Sequence, residues 1–88
     1  MVSAKVMVTN PAGLHARPAG ILAGAAGKCS SETIMIHDGK TIQLKSILNI
    51  MAAVIKTGAE VEIRCSGENE QADLEALVGL FDKELKNA

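Results

Sequence analysis

The sequence predicts a two-layer α+β sandwich with the element order βαββαβα, in which helices cover one face of an antiparallel sheet. Two observations lead to this prediction. Several stretches alternate apolar and polar residues, which is typical of strands with one face in water. An Asp-Gly pair between two of these stretches indicates a tight antiparallel hairpin. With 88 residues, we expect a single domain over residues 1–88.

The first part of the chain predicts a strand, a turn and a helix. Residues 2–8 alternate as a strand does, and the segment TNPAG that follows is rich in turn-forming residues. Residues 16–27 predict a helix, since Pro18 suits its first turn and Gly27 its end. Gly20 and Gly24, one turn apart, allow another surface to approach closely, either the sheet or a partner. The apolar residues at core spacing in this helix are Ile21, Leu22, Ala25 and Ala26.

The middle of the chain predicts a hairpin followed by a short helix. Residues 32–37 and 40–44 read as strands joined by Asp38-Gly39. Ser46 stands where the N-cap of the next helix belongs, and the segment Lys56-Thr57-Gly58 is expected to close that helix. The apolar residues expected on its buried stripe are Ile47, Ile50, Met51 and Val54, with Leu48 lying off the stripe.

The last part of the chain predicts a strand and a long helix. Residues 60–66 alternate strictly, so Cys65 is expected to be a small buried hydrophobe. Residues 68–85 predict the final helix. Its apolar stripe contains Leu74, Leu77, Val78, Phe81 and Leu85. The charged residues expected to lie mostly away from that stripe are Glu70, Asp73, Glu75, Lys83 and Glu84.

Composition narrows the class of protein. The net charge is −1 and no basic stripe is present, which argues against nucleic-acid binding. The longest weakly polar run, residues 16–27, is too short to cross a bilayer, and no signal peptide is visible. Cys29 and Cys65 form no CxxC motif, and His37 has no further ligands at metal-binding spacing. We therefore expect a cytoplasmic protein with two free thiols, no metal and no membrane insertion.

His15 is the residue whose position calls for a chemical explanation. It lies at the start of the first helix, where unpaired N–H groups and the helix dipole favour an anion and disfavour a protonated imidazole. A neutral imidazole is a nucleophile, and a phosphoryl group on it would lie beside the guanidinium of Arg17. These residues alone leave three roles open for His15: a phosphoryl acceptor, part of an anion site without a covalent step, or an ordinary capping residue.

The segments GLHARPAG and KSILNIM, the Asp-Gly hairpin and the chain length closely resemble the HPr family, the histidine-containing phosphocarriers of the bacterial sugar phosphotransferase system. The resemblance covers Val2 to about Leu85 and implies an open-faced β-sandwich with four antiparallel strands and three helices. It implies that enzyme I phosphorylates Nδ1 of His15 and that the group passes to IIA domains of sugar permeases. Arg17 and the backbone N–H groups of Ala16 and Arg17 would hold the phosphate. Such a protein is a covalent carrier, not an enzyme, and needs no cofactor.

The resemblance also implies a docking surface and a regulatory site. Ser46 is similar to the residue that HPr kinase/phosphorylase phosphorylates for recognition by a catabolite-control transcription regulator, although capping alone also explains a serine there. Regulator-only relatives lack the histidine, and a monomer is expected. At position 12 the family often carries Ser or Asn to orient the ring, which Ala12 cannot do, and Cys29 replaces a common aromatic residue. The residues expected to dock partners are Leu14, Ala16, Gly20, Ile47, Leu48 and Met51.

Overall fold

The computed structural model describes residues 1–88 and consists of a four-stranded antiparallel sheet and three α-helices. The observed order is βαββαβα, so the predicted fold class is confirmed. The strands are β1 (Val2–Met7), β2 (Glu32–His37), β3 (Lys40–Gln43) and β4 (Glu60–Ser66). The helices are α1 (Ala16–Gly27), α2 (Ile47–Ala52) and α3 (Glu70–Asp82), and a 3₁₀ turn (Leu85–Asn87) follows.

The sheet has the strand order β1-β4-β2-β3, so β4 pairs with both β1 and β2. The alternation along β4 turns Val61, Ile63 and Cys65 into the core, while Glu62 and Arg64 form an ion pair at 3.0 Å on the open face. Cys65 is buried, as predicted, and burial raises the pKa of its thiol to about 11. Both cysteines are free thiols, and the buried position of Cys65 favours a structural role over a reactive one.

Two local sequence signals have the expected structural result. Asp38 and Gly39 have φ angles of 53° and 74°, the paired positive values of a tight hairpin turn between β2 and β3. Ser46 is the N-cap of α2, and its Oγ accepts a hydrogen bond from the backbone N–H of Asn49 at 3.2 Å. Both signals act over three or four residues, which is why the sequence alone reveals them.

The predicted apolar stripe of α2 is wrong. The helix ends at Ala52, and a helix of six residues makes fewer than two turns, so only Ile50 reaches the core. The other three residues assigned to the stripe are exposed, and Val54 lies beyond the helix with φ +51°. The segment Lys56-Thr57-Gly58 is therefore not the end of the helix. The apolar side chains assigned to the interior instead form part of the surface.

α1 has the predicted bounds, but its buried face differs from the predicted one. Ile21 and Ala25 are only half-buried, because the buried face is centred on Leu22 and includes Ala19 and Ala23. No atom lies within 4 Å of the position that a Cβ would take at Gly20 or Gly24, so the sheet does not approach these glycines closely. No helix in the fold is long and apolar enough to cross a membrane.

α3 buries Leu74, Leu77 and Phe81 of its predicted stripe and also a carboxylate. The helix ends at Asp82 and not at residue 85, so the buried Leu85 belongs to the 3₁₀ turn, and Val78 is half-buried. Asp73 was expected to face away from the core, but it is buried and accepts hydrogen bonds from the backbone N–H of Ser31 at 3.1 Å and from Asn69 Nδ2 at 3.3 Å. Hydrogen bonding from Ser31 holds the pKa of the Asp73 carboxyl below its ordinary value. The hydrogen bond from Ser31 links the residue before β2 to α3 and compensates for the burial of the carboxylate, a contact that helical periodicity does not show.

Candidate functional site

The turn before His15 is closed by Asn10 and Gly13. The buried Asn10 side chain donates through Nδ2 to the Gly13 carbonyl oxygen, and the Gly13 N–H donates to the Asn10 carbonyl oxygen at 3.0 Å. Gly13 has φ +70°, a conformation that favours glycine. The sequence indicated a turn here but did not identify Asn10 as the side chain that shapes it. Asn10 and Gly13 together set the direction in which the chain enters α1.

The same turn is attached to the segment that follows α2. The Leu14 N–H donates to the Ile55 carbonyl oxygen at 2.9 Å. A Cβ on Gly13 would collide with that carbonyl oxygen and would lie 2.9 Å from Cα of Lys56. Leu14 is only 3% exposed, so its prediction as a surface docking residue is wrong. Its side chain belongs to the hydrophobic core and so attaches the loop to it.

His15 is the N-cap residue of α1. Its backbone is extended, its carbonyl oxygen accepts the Ala19 N–H at 2.9 Å, and its imidazole makes no capping hydrogen bond. The N–H groups of Ala16 and Arg17 donate to no group of the protein, and Pro18 has no N–H. Two unpaired donors therefore lie beside an exposed imidazole, an arrangement that suits an anion.

Arg17 is exposed and forms no ion pair within the chain. Its guanidinium is therefore available to an anion bound at the start of α1. The imidazole of His15 has no hydrogen-bond partner either, and Ala12 is exposed and offers none. The backbone, through Asn10 and Gly13, fixes where the ring is attached, while no polar side chain of this protein orients it.

His15 also lines a shallow depression of about 310 Å³ between the loop and the end of α2. The depression is largely apolar, and Lys56 is the one basic residue besides His15 among those that line it. Arg17 does not line it. The sequence did not identify this depression, because its two sides come from segments about 40 residues apart. Its lining residues are Ala12, Leu14, His15, Met51, Val54, Ile55 and Lys56.

The first half of α1 and one side of α2 carry an exposed apolar surface, hereafter the apolar surface, made of Ala16, Gly20, Ile47, Leu48 and Met51. The two helices pack side by side. Leu48 is 79% exposed, Ile47 45% and Met51 41%, while Ala16 is exposed and Gly20 partly so. Adjacent exposed apolar side chains of this kind are typical of a protein-binding surface. Ser46 adjoins this surface at the N-terminus of α2.

Val54 lies in an unfavourable backbone conformation beside His15. Its φ of +51° is in the left-handed region, which a β-branched residue rarely adopts, and its side chain is 66% exposed. Little burial therefore compensates for the backbone strain.

We expect Val54→Gly to stabilise the protein by about 0.5–1 kcal/mol, because glycine removes the left-handed strain and loses little packing. Urea denaturation measures the change in the free energy of unfolding. Val54→Ala is the matched control, since it shortens the side chain but keeps the Cβ that causes the strain. A Val54→Gly protein no more stable than Val54→Ala would show that the backbone here is not strained.

Comparison with known proteins gives matches to one family over nearly the whole chain. Residues 2–83 match the family model described as PTS HPr component phosphorylation site. The phosphocarrier protein HPr of Mycoplasma capricolum is 42% identical over 77 residues, which cover 88% of this chain and 86% of that protein. A crystal structure of HPr from Thermoanaerobacter tengcongensis superposes with a TM-score of 0.93 at 32% identity, covering 100% of this chain and 99% of the other.

A second kind of relative is also similar. The HPr-like protein Crh of Bacillus subtilis is 38% identical over 85 residues, covering 97% of this chain and all of that protein. A crystal structure of Crh, described as a catabolite repression protein and as a dimer with a swapped domain, superposes with a TM-score of 0.73. It covers 96% of this chain and 95% of the other.

Proposed function

This chain belongs to the HPr family of phosphotransferase-system proteins, and from that membership we propose that it accepts a phosphoryl group on His15 from enzyme I and passes it to IIA domains of sugar permeases. One observation supports this proposal above the others. The exposed imidazole of His15 stands beside the two unpaired N–H groups at the start of α1 and the free guanidinium of Arg17. A nucleophile and an anion site coincide there.

The transfer needs no chemistry beyond these groups. The lone pair of a ring nitrogen of His15 attacks phosphorus, and the new N–P bond forms as the bond between phosphorus and the donor atom of enzyme I breaks. The donor atom keeps the electron pair of the broken bond. The N–H groups of Ala16 and Arg17 and the Arg17 guanidinium donate to the phosphoryl oxygens. The next acceptor removes the group in the same way, so the protein is a covalent intermediate and not an enzyme.

Partners are proposed to bind the apolar surface, because it adjoins the start of α1 and presents exposed side chains such as Leu48. We place this exchange in the cytoplasm, with the carrier acting as a monomer. The dimer described for Crh makes size-exclusion chromatography with light scattering the direct check on that last point. A dimer at the working concentration would contradict it.

Mass spectrometry of the protein after incubation with enzyme I and phosphoenolpyruvate tests the proposal. We expect an added mass of one phosphoryl group, labile to acid and stable to base, as an N–P bond requires. An anion site without a covalent step would bind phosphate reversibly and gain no mass. Transfer of the label to an isolated IIA domain tests the second half of the exchange.

A second function, regulation through Ser46, is suggested by the similarity to Crh. Ser46 is half-buried at the N-cap of α2 and precedes the exposed Ile47 and Leu48. A phosphate added by HPr kinase/phosphorylase would lie at the helix N-terminus, where an anion is stabilised, and could be recognised by a catabolite-control transcription regulator. Regulator-only relatives lack the histidine, so His15 argues against a protein that acts as a regulator alone.

Ser46→Asp should weaken binding of enzyme I about tenfold without melting the fold. The new charge adjoins the apolar surface and would have to be desolvated on docking. At the helix N-terminus the same charge contributes about 0.3–1 kcal/mol of stability. Calorimetric titration with enzyme I and thermal melting by circular dichroism separate the two effects.

Ser46→Ala is the control for the Ser46→Asp protein. It adds no charge and loses about 1 kcal/mol of capping, because the Asn49 N–H loses its partner. We therefore expect it to melt earlier and to bind enzyme I normally. Equal affinity of the wild type and Ser46→Asp for enzyme I would leave Ser46 as a cap alone.

A further inference from the structure

The depression that His15 lines contains one lysine, Lys56, and no arginine. Arg17 does not line this depression, and neither does any acidic residue. The Lys56 side chain is exposed and forms no ion pair or hydrogen bond within the chain. Its ammonium group is thus free to meet an anion approaching from this side of the imidazole.

The backbone of Lys56 is held against the loop that carries His15. The preceding carbonyl, that of Ile55, accepts the Leu14 N–H at 2.9 Å. The Gly13 position lies so close to Lys56 that an added Cβ would stand 2.9 Å from its Cα. On the other side, the Lys56 carbonyl oxygen accepts the Ala59 N–H at 3.1 Å. The side chain therefore starts from a backbone fixed relative to the histidine.

We propose that Lys56 is a second phosphate-binding residue, which contacts the phosphoryl group on His15 from the depression while Arg17 and the α1 N–H groups contact it from the helix. The inference rests on the proposed function. A phosphoryl group on nitrogen carries two negative charges and three acceptor oxygens, more than one guanidinium and two N–H groups neutralise. A lysine ammonium supplies a point charge with three donors.

Direct phosphorylation of His15 with phosphoramidate, without any protein partner, allows a test. The titration of the bound phosphoryl group is then followed by ³¹P NMR in wild type and Lys56→Gln. Removing a nearby cation disfavours the dianion, so in Lys56→Gln the group should titrate at a pH about 0.5 higher than in wild type. Lys56→Arg should restore the wild-type titration.

Lys28→Gln is the matched control, because Lys28 is an exposed lysine at the end of α1 that does not line the depression. It should titrate as the wild type does. Identical titrations in Lys56→Gln and wild type would overturn the role of Lys56. A wild-type protein that accepts the group from phosphoramidate but not from enzyme I would overturn the proposed function, while the titration would still decide the role of Lys56.

Discussion

Replacing His15 with alanine should abolish phosphoryl acceptance from enzyme I and leave the fold unchanged. The imidazole is exposed and makes no hydrogen bond in the structure, so its removal disturbs no packing. Its backbone role, accepting the Ala19 N–H, does not depend on the side chain. We expect no added mass after incubation with enzyme I and phosphoenolpyruvate, and a melting temperature within a few degrees of wild type.

The other histidine provides the control for this experiment. His37 ends β2 beside the hairpin, far along the chain from the start of α1. His37→Ala should therefore accept the phosphoryl group at the wild-type rate. If His15→Ala were still labelled normally, the acceptor would have to be sought elsewhere in the chain.

Gly13→Ala should cost about 2–4 kcal/mol of stability and slow phosphorylation of His15. An alanine at φ +70° is strained, and its Cβ would collide with the Ile55 carbonyl oxygen, so the loop would have to move away. That movement would break the hydrogen bond from the Leu14 N–H to the Ile55 carbonyl oxygen. It would also displace His15, which follows Leu14 in the chain. Urea denaturation and the rate of labelling by enzyme I measure the two effects.

Gly39→Ala is the control that separates the cost of a positive φ angle from the cost of the Cβ collision at Gly13. Gly39 has φ +74°, almost the value at Gly13, but no atom lies within 4 Å of the Cβ position there. Its substitution should therefore cost only about 1 kcal/mol and leave labelling unchanged. If Gly13→Ala proved no more destabilising than Gly39→Ala, close packing of the two backbones would not be what holds the loop.

The sequence predicted the strands and helices and pointed to His15 as a candidate because these signals are local. Strand alternation, the Asp38-Gly39 turn, the Ser46 cap and the charge environment of His15 each depend on neighbouring residues. The buried face of α2 could not be predicted, since the apolar period continues past the point where the helix stops. The burial of Asp73 depends on Ser31, 42 residues away in sequence.

In the candidate site too, contacts between residues close in sequence were predictable and contacts between distant residues were not. Arg17 lies two residues from His15, so the pair was visible in the sequence. Ile55 and Lys56, which hold and surround the loop, were not visible, because they reach it only through the tertiary fold.

The unpaired N–H groups at the start of α1 have a consequence for how the phosphorylated and unphosphorylated forms of the proposed carrier would differ. Because His15 is the N-cap, the first helical hydrogen bond comes from Ala19, and the N–H groups of Ala16 and Arg17 take part in no hydrogen bond of the fold. Phosphorylation of His15 would therefore break no hydrogen bond of the fold, and release of the phosphoryl group would require none to re-form. We expect both states to share one backbone shape. Partner proteins would then have to recognise the phosphorylated form by the phosphoryl group itself and its charge, since the backbone of the carrier would be the same in both forms.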